Sequence, residues 1–501
     1  MSTSPRTERS GRGAPRAWAL ALAAGLAGCA VGPDFVKPEA PKADHYGREA
    51  DPTATPAAEG QAQRLERGAP VAGDWWTLFG SSQLDAIVKQ AVADNETLKG
   101  ALASLKASQS NLRAGYGVFF PQVDAHAGAE RERVTLVSFG ENLPATVFNL
   151  FTLSGTVSYA LDVFGGQRRA LEGLEAQADF QRFQAAAAYL TLTGNVVNAV
   201  IARAAYEEQA RATRELVDDE RGQVSLTEAQ ATAGTIAYVS VLSLRTQLAA
   251  LEATLPPIVQ HVSQSDHLLS TLAGRLPSEW TAPPVALSEL KLPPAVPLSL
   301  PSELVRQRPD ILAALAQLHQ ASANVGVATA ALFPSITLSG SLGANNSTLP
   351  NLFAANGSFW SLGAGLTAPL FHGGALWNER QAAIDGYEQA LANYHQTVLS
   401  AFQQVADALR ALDLDAQALD AEARSMAAAE DALQLTQANY AAGVANYLQV
   451  LVAFAQYHQA RIGYVEARAQ RLQDTVALFV ALGGGWWDAP KSPLGGVPSG
   501  R

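Results

Sequence analysis

Two stretches of this chain, each longer than a hundred residues, contain no proline: none falls between Pro144 and Pro256, and none between Pro369 and Pro490. Proline removes a backbone donor and clashes with the preceding turn, so helix interiors exclude it. Ala, Leu, Gln, Glu and Arg fill both stretches, and these side chains lose little on entering a helix. A continuous helix from Gly166 to about Ala231 runs on the order of 100 Å at about 1.5 Å per residue. A helix that long draws its stability from neighbours along its whole length, and coiled-coil packing is the natural source.

The two stretches belong to a duplication. An amphipathic segment, "SSQLDAIVKQAVADNETLKGALASLKASQSNLRAGYGV", ends at Phe120-Pro121, and its later partner, "PSELVRQRPDILAALAQLHQASANVGVATAAL", ends at Phe333-Pro334. Each Phe-Pro leads into a strand-like stretch, a loop, a second strand and a glycine pair, Gly165-Gly166 or Gly373-Gly374. A long helical run follows each pair. Further on, "AGTIAYVSVL" matches "AGVANYLQVL", pairing Gly234 with Gly443, Tyr238 with Tyr447 and Leu242 with Leu451. The offset between halves drifts from 220 at Leu84/Leu304 through 213 at the Phe-Pro pairs to 209 here. A repeat this long is a duplicated supersecondary assembly, not a short-period solenoid. The expected organisation is a leader over 1–28, an extended arm over 29–73, a first repeat over 74–290, a second over 291–485 and a disordered tail over 486–501.

Four strands are expected, roughly 122–134, 151–164, 335–345 and 359–370. In "FTLSGTVSYALDV" the odd positions carry Phe151, Leu153, Val157, Tyr159 and Leu161, and the even ones Thr152, Ser154, Thr156 and Ser158. "SITLSGSLGAN" sets Ile336, Leu338 and Leu342 against Ser335, Thr337, Ser339 and Ser341; "FWSLGAGLTAPL" sets Trp360, Leu362 and Leu366 against Ser361 and Thr367. The first strand alternates less sharply, Val123, Ala125 and Ala127 against Gln122, Asp124 and His126. Lengths near ten residues with dyad alternation fit transmembrane barrel strands as well as a half-solvated sheet.

The N-terminus favours the membrane. Arg6, Arg9, Arg12 and Arg16 precede the short apolar run "WALALAAGLAG", and the only cysteine follows in Leu26-Ala27-Gly28-Cys29. This is the pattern of a lipoprotein leader, whose cysteine is acylated and becomes the first mature residue. Ala30 in place of an aspartate points to outer-membrane sorting. No later stretch has the long uncharged apolar run of a transmembrane helix, so strands have to make any crossing. Four strands cannot close a barrel, and an open edge in hydrocarbon leaves backbone groups unpaired at several kcal/mol each, so closure requires several copies. Three copies give a hollow twelve-stranded barrel. Net charge is −11, which argues against a nucleic-acid partner.

The segments "CAVGPDFVKP", "LDVFGGQRRA", "RQRPDILAALAQLHQASANVGVATAALFPSITLSGSLG" and "YAAGVANYLQVL" resemble the TolC-like outer-membrane factors, in particular the NodT or OprM lipoprotein branch. The resemblance runs from Cys29 to about Gly485. It implies a mainly α fold with a trimeric barrel, four strands per chain, continuous with a long α-helical coiled-coil tunnel. It further implies a homotrimer that docks to a periplasmic adaptor and an inner-membrane pump of the RND class, exporting small toxic compounds. It places a periplasmic gate at the helix turns around Gly234 and Gly443, with Tyr440 matching a tyrosine that holds the closed state in relatives. Relatives commonly carry an aspartate six residues after the glycine; here stand Gln449 and Ser240, and three further on Val452 and Ser243. Tyr238 and Tyr447 belong to the same turns. The expectation is a gate held by hydrogen bonds and packing, with weaker cation selectivity.

The acidic run Asp413 to Asp431 reads as a solvated helix face. The scattered histidines lack ligand spacing for a metal, and no nucleophile elbow, metalloprotease or nucleotide-binding motif appears. No catalysis is expected, and no cofactor beyond the N-acyl and diacylglycerol lipid on Cys29. Trp75-Trp76 and Trp486-Trp487 bracket the folded region, read as core packing with interfacial anchoring as the alternative. A type I protein-secretion conduit and a non-conducting structural envelope lipoprotein are the rival functions; lumen-facing Ser and Thr argue against the second.

Overall fold

The computed structural model describes residues 30–135 and 144–488. Cys29, the leader before it and the chain after 488 lie outside the described residues. The chain divides into two compact units: one holds residues up to Lys37, Lys106–Asp179 and Leu315–Asn393, and the other Pro38–Leu105, Phe180–Ala314 and Tyr394 onward. Each repeat contributes to both, so the repeats are units of sequence and not of packing.

The first unit is built on an antiparallel sheet of four strands, β2 (Gln122–Val134), β3 (Thr146–Leu161), β5 (Ser335–Asn346) and β6 (Ser358–Thr367), in the order β2-β3-β5-β6. Pro121 and Pro334 stand immediately before β2 and β5, where a missing donor costs no ladder bond. The register sorts the side chains. Val123 faces Val157, Val157 faces Gly340, and Gly340 faces Leu362. Directly opposed residues share a face, so the odd positions of β2 and β3 and the even positions of β5 and β6 form one apolar surface. The other surface carries Asp124, His126, Thr156, Ser158, Ser339, Ser341 and Ser361, with the Ser341 and Ser361 hydroxyls 2.7 Å apart.

The second unit contains most of the helices. Two parallel four-residue strands, β1 (Arg64–Arg67) and β4 (Ala295–Leu298), pair the N-terminal arm with the segment that opens the second repeat. The arm is therefore tied down, not a free linker: Tyr46 donates to Ser299 O at 2.8 Å, and the Gln63 side-chain amide donates to Thr475 Oγ1 at 3.2 Å. The expected single helix before Phe120 is two, α1 (Ser82–Asp94) and α2 (Glu96–Gly115); its counterpart is α5 (Pro301–Gln307) and α6 (Pro309–Ala330).

The long helices are duplicated to the residue. Helices α3 (Gly166–Thr232) and α7 (Ala375–Ala441) have 67 residues each; α4 (Tyr238–Leu272) and α8 (Tyr447–Ala481) have 35 each. One 18-residue stretch of α3 is apolar enough to cross a membrane by composition, but 67% of it is buried inside the protein, so it is a core segment. Helix α4 runs through Pro256 and Pro257, so the end of the proline-free stretch is not the end of the helix.

In each repeat the break between the short helices closes the end of the long pair. Asn95 Nδ2 donates to Leu272 O at 3.0 Å, and Arg308 Nη1 donates to Ala481 O at 2.7 Å. These carbonyls belong to the last turns of α4 and α8, whose final acceptors have no intrahelical donor. An amide performs in one copy what a guanidinium performs in the other. Both tryptophan pairs support this region: Trp75 stacks on Phe479 with centroids 5.2 Å apart, and Trp486 Nε1 donates to Gln307 O at 2.9 Å. Trp486–Asp488 forms a 3-10 turn with Trp486 buried, so the folded chain extends three residues into the expected tail.

Candidate functional site

Two places carry functional geometry: the strand sheet with its helix junctions, and the two turns that link the long helices.

At the first strand–helix junction Gly165 has φ +77°, and a Cβ there would lie 2.6 Å from Ala30 Cα. Gly166 opens α3, where a Cβ would meet the Ala330 methyl at 3.1 Å. The motif "LDVFGGQRRA" gains its reason from Asp162, which sequence reasoning passed over. Its carboxylate accepts from the backbone N–H groups of Gln167 at 2.9 Å and Arg168 at 3.0 Å, and from Arg168 Nε at 3.1 Å. A carboxylate at a helix N-terminus satisfies free donors and opposes the helix dipole. At the second junction Gly373 and Gly374 are both left-handed, φ +58° and +82°, with open space around Gly373. Phe164 and Phe333 stack 4.9 Å apart, just beyond the paired ends of β3 and β5 where Leu161 lies opposite Ile336.

The segment after Cys29 is clamped onto this junction. Val31 N–H donates to Phe164 O at 3.0 Å, and Gly32 lies so close to Gly326 that a Cβ would come within 2.6 Å of its Cα. Buried Arg169 bridges Asp34 at 2.6 Å and Glu172 at 2.7 Å; Glu172 also meets His319 at 2.9 Å, and Phe35 stacks on that imidazole at 4.3 Å. "AVGPDF" is thus a docking sequence, and Ala30 is held beside Gly165.

Both helix-linking turns use the same termination. Gly234 donates to Ala231 O at 3.0 Å and Thr235 N–H to Gln230 O at 3.0 Å; Gly443 donates to Tyr440 O at 3.0 Å and Val444 N–H to Asn439 O at 2.9 Å. This is the Schellman pattern, which places its central residue in the left-handed region; the two glycines have φ +75° and +74°. The returning helices start differently. Asn446 Oδ1 accepts from Gln449 N–H at 3.1 Å while Gln449 Oε1 accepts from Asn446 N–H at 3.2 Å, a complete capping box. Helix α4 begins after Ala237 with no side-chain cap. Gln449 is therefore engaged with its own helix end. Ser240 N–H bonds Ala237 O, Ser243 Oγ bonds Val239 O inside α4, and Tyr238 and Val452 are exposed.

Of the expected gate residues, the structure brings Tyr440 and Tyr447 together, edge to face with centroids 5.3 Å apart. They pack against a buried cluster of Leu216, Leu433, Val450, Ala453 and Phe454, and Tyr447 also touches a second one, Val224, Leu244 and Leu451. Beneath them lies a residue sequence reasoning did not single out. Glu220 of α3 is 2% exposed, and its Oε1 has no hydrogen-bond partner. Burial pushes its pKa up to about 7. Burial also raises the Tyr447 phenol, with the nearby Glu220 and Tyr440 adding to the effect. Of the acidic run, Asp413 pairs with Arg410 at 2.8 Å and Asp420 with Arg424 at 3.0 Å, both at the surface.

Residues 87–275 and 300–484, one span in each repeat, match the family described as outer membrane efflux protein. The chain belongs to this family. Among its relatives is the pyoverdine export outer membrane protein OpmQ of Pseudomonas aeruginosa, 32% identical over 447 residues, covering 86% of this chain and 92% of OpmQ. The probable outer membrane lipoprotein SilC of Salmonella typhimurium is 26% identical, with 92% and 96% covered. The solved structure of the outer-membrane channel OprN superposes with a TM-score of 0.82 at 27% identity, covering 91% of this chain and all of that one. This outer membrane efflux protein is the outer-membrane channel component of an efflux system. The sheet with one apolar and one hydroxyl-rich face is its membrane-crossing part, and the long helix pairs form its tunnel-building part.

Proposed function

We propose that three copies join sheet edge to sheet edge into one twelve-stranded barrel, a passive duct that releases small toxic compounds and catalyses nothing. The sorted sheet carries this reading. Its two edge strands, β2 and β6, run in opposite directions, so β2 of one copy can pair antiparallel with β6 of the next. Every residue of β6 except Phe359 is exposed, including Trp360, Leu362 and Leu366, and lipid outside with water inside accounts for both faces. Closure also removes edges that hydrocarbon forbids.

Cys29 carries the lipid in this proposal. Ala30 is fixed at the end of the strand–helix junction, so acyl chains on the neighbouring residue enter the membrane beside the barrel. A periplasmic adaptor and an RND-class pump meet the helix turns, where exposed Tyr238, Val239, Leu242, Val444, Leu448 and Val452 offer apolar contact. Energy for export comes from that pump.

Cysteine pairing tests the assembly. Gly363→Cys on β6, combined one at a time with cysteines at even positions of β2, should give an oxidised product that closes at three chains on a non-reducing gel. Closure at two or four chains, or no cross-link anywhere along β2, overturns the proposal. For the duct, deletion in a strain lacking other such channels should sensitise cells to drugs, metals or solvents; unchanged sensitivity to all three classes overturns efflux of small toxic compounds.

A further inference from the structure

The arm turns back on itself at 58–61. Ala58 N–H donates to Gln61 O at 3.1 Å and Gln61 N–H to Ala58 O at 2.9 Å. Glu59, with φ +50°, is the only non-glycine in the left-handed region among the described residues, and Gly60 follows at +75°. Two successive left-handed residues make the tight turn of a two-residue hairpin. That turn rests on α8: Arg471 Nη2 donates to Gln61 O at 3.1 Å, and Tyr464 OH donates to Glu59 Oε1 at 2.6 Å.

Beside this contact is a cavity of about 570 Å³, whose charged lining residues are Lys291, Arg468, Arg471 and Glu59. Among the described residues, no carboxylate comes within 4.0 Å of any of the three cations. Arg471 is 2% exposed, its Nε has no hydrogen-bond partner, and burial holds its pKa below the usual guanidinium value. Glu59 and Asp415 act on it only through space. Burial and a hydrogen bond to Asp474 push the Asp415 pKa up, which withholds part of even that charge. A buried cation without a close counter-charge is expensive.

The duplication supplies an internal control. At the matching positions of α4, 209 residues earlier, Tyr464, Arg468 and Arg471 are replaced by Leu255, Val259 and Val262. The same helix is built there without the cluster, so the fold does not require it. Within the first repeat, the buried Arg203 is closed by carboxylates, lying 2.6 Å from Asp266 and 3.1 Å from Glu207.

We propose that this cavity binds a small, multiply charged oxyanion bearing phosphate or carboxylate groups. The guanidinium groups of Arg471 and Arg468 match the oxygens of such a group as planar forks, and Lys291 adds a point charge at the rim. Glu59 is the resident acid with which the ligand competes. Bound there, the ligand fastens the arm to α8. The proposal is independent of how many copies form the barrel.

Isothermal titration calorimetry on the full-length detergent-purified protein, with inorganic pyrophosphate and separately with citrate at constant ionic strength, is the test. At least one probe should bind saturably with one site per chain, and the tighter of the two tells phosphate from carboxylate recognition. Arg468→Gln and Lys291→Gln should each weaken binding by about tenfold, and Glu59→Gln should tighten it. Lys291 is exposed, so its variant decides the matter if Arg468→Gln does not fold. Absence of saturable heat with both probes, or variants that bind as the parent does, overturns the site.

Discussion

Glu220 shows how one buried acid sets a pH dependence. Its pKa is about 7 in the folded protein against an ordinary glutamate value near 4.3, so the folded state holds a proton that the unfolded state has already released. Stability therefore falls as pH rises between these values, and the full penalty, on the order of 3 kcal/mol, is present above pH 7. Glu220→Gln is expected to raise the melting temperature at pH 8, to leave it nearly unchanged at pH 4.5, and to flatten the profile between. Asn446 gives the opposite sign. Asn446→Ala removes the capping box and should cost about 1 kcal/mol, while Ala237→Asn at the uncapped twin should add a similar amount; denaturant midpoints of the two variants check both. The left-handed glycines of both turns were legible, because only glycine takes that conformation freely. The role of Gln449 was not. The family resemblance set it at the gate turn, and the capping box it forms with Asn446 went unread although Asn446-x-x-Gln449 is itself a capping signature. Glu220 was invisible because a carboxylate in a helical run reads as solvated until its neighbours are known.

Helix breaks and prolines are decided at the next scale. The residue before a proline is pushed out of the helical region, so Arg308 before Pro309 was a readable boundary; Asn95 had only its capping chemistry to announce it. The pairing of β1 with β4 could not be read, since both are four residues long and 231 positions separate Arg64 from its partner Ala295. The four barrel strands were legible in face, because dyad alternation survives in each and the register then aligns them, and in position except for β3, which runs Thr146–Leu161 where 151–164 was expected. Pro256 and Pro257 misled in the other direction: packing carries α4 through two residues that isolated helices reject. Proline in a helix interior costs about 3 kcal/mol. Replacing the pair with the residues of α8 at those positions, Pro256→Val and Pro257→Glu, should therefore stabilise the protein by about 3 kcal/mol, read as a rise in denaturation midpoint. Arg308→Met should act the other way, removing the donor to Ala481 O and the guanidinium beside the partly exposed Asp310, which keeps the Ile311 N–H, at about 2 kcal/mol.

For the whole molecule, the two faces of the sheet make separable predictions. Leu362→Lys places a charge on the apolar face near mid-strand and should cost about 2–4 kcal/mol in a bilayer, seen as loss of assembled protein from outer-membrane fractions. Ser339→Lys, on the opposite face, should leave assembly intact and shift ion preference toward anions in single-channel recordings. Composition and periodicity gave the class of fold, but the division into two compact units that cut across the repeats followed only from contacts. The helix pairs impose a further constraint. Leu216 of α3 and Leu433 of α7 lie in one cluster with Val450 and Phe454 of α8, so the two hairpins share a core close to their turns. Sequence in either copy is free to diverge, as Arg468 opposite Val259 demonstrates, but residue count is not. A heptad gained by one hairpin alone would carry its turn roughly 10 Å past its twin and strand that shared core, so insertions and deletions within the long helix pairs, unlike those in the segments before them, are expected to survive only when matched.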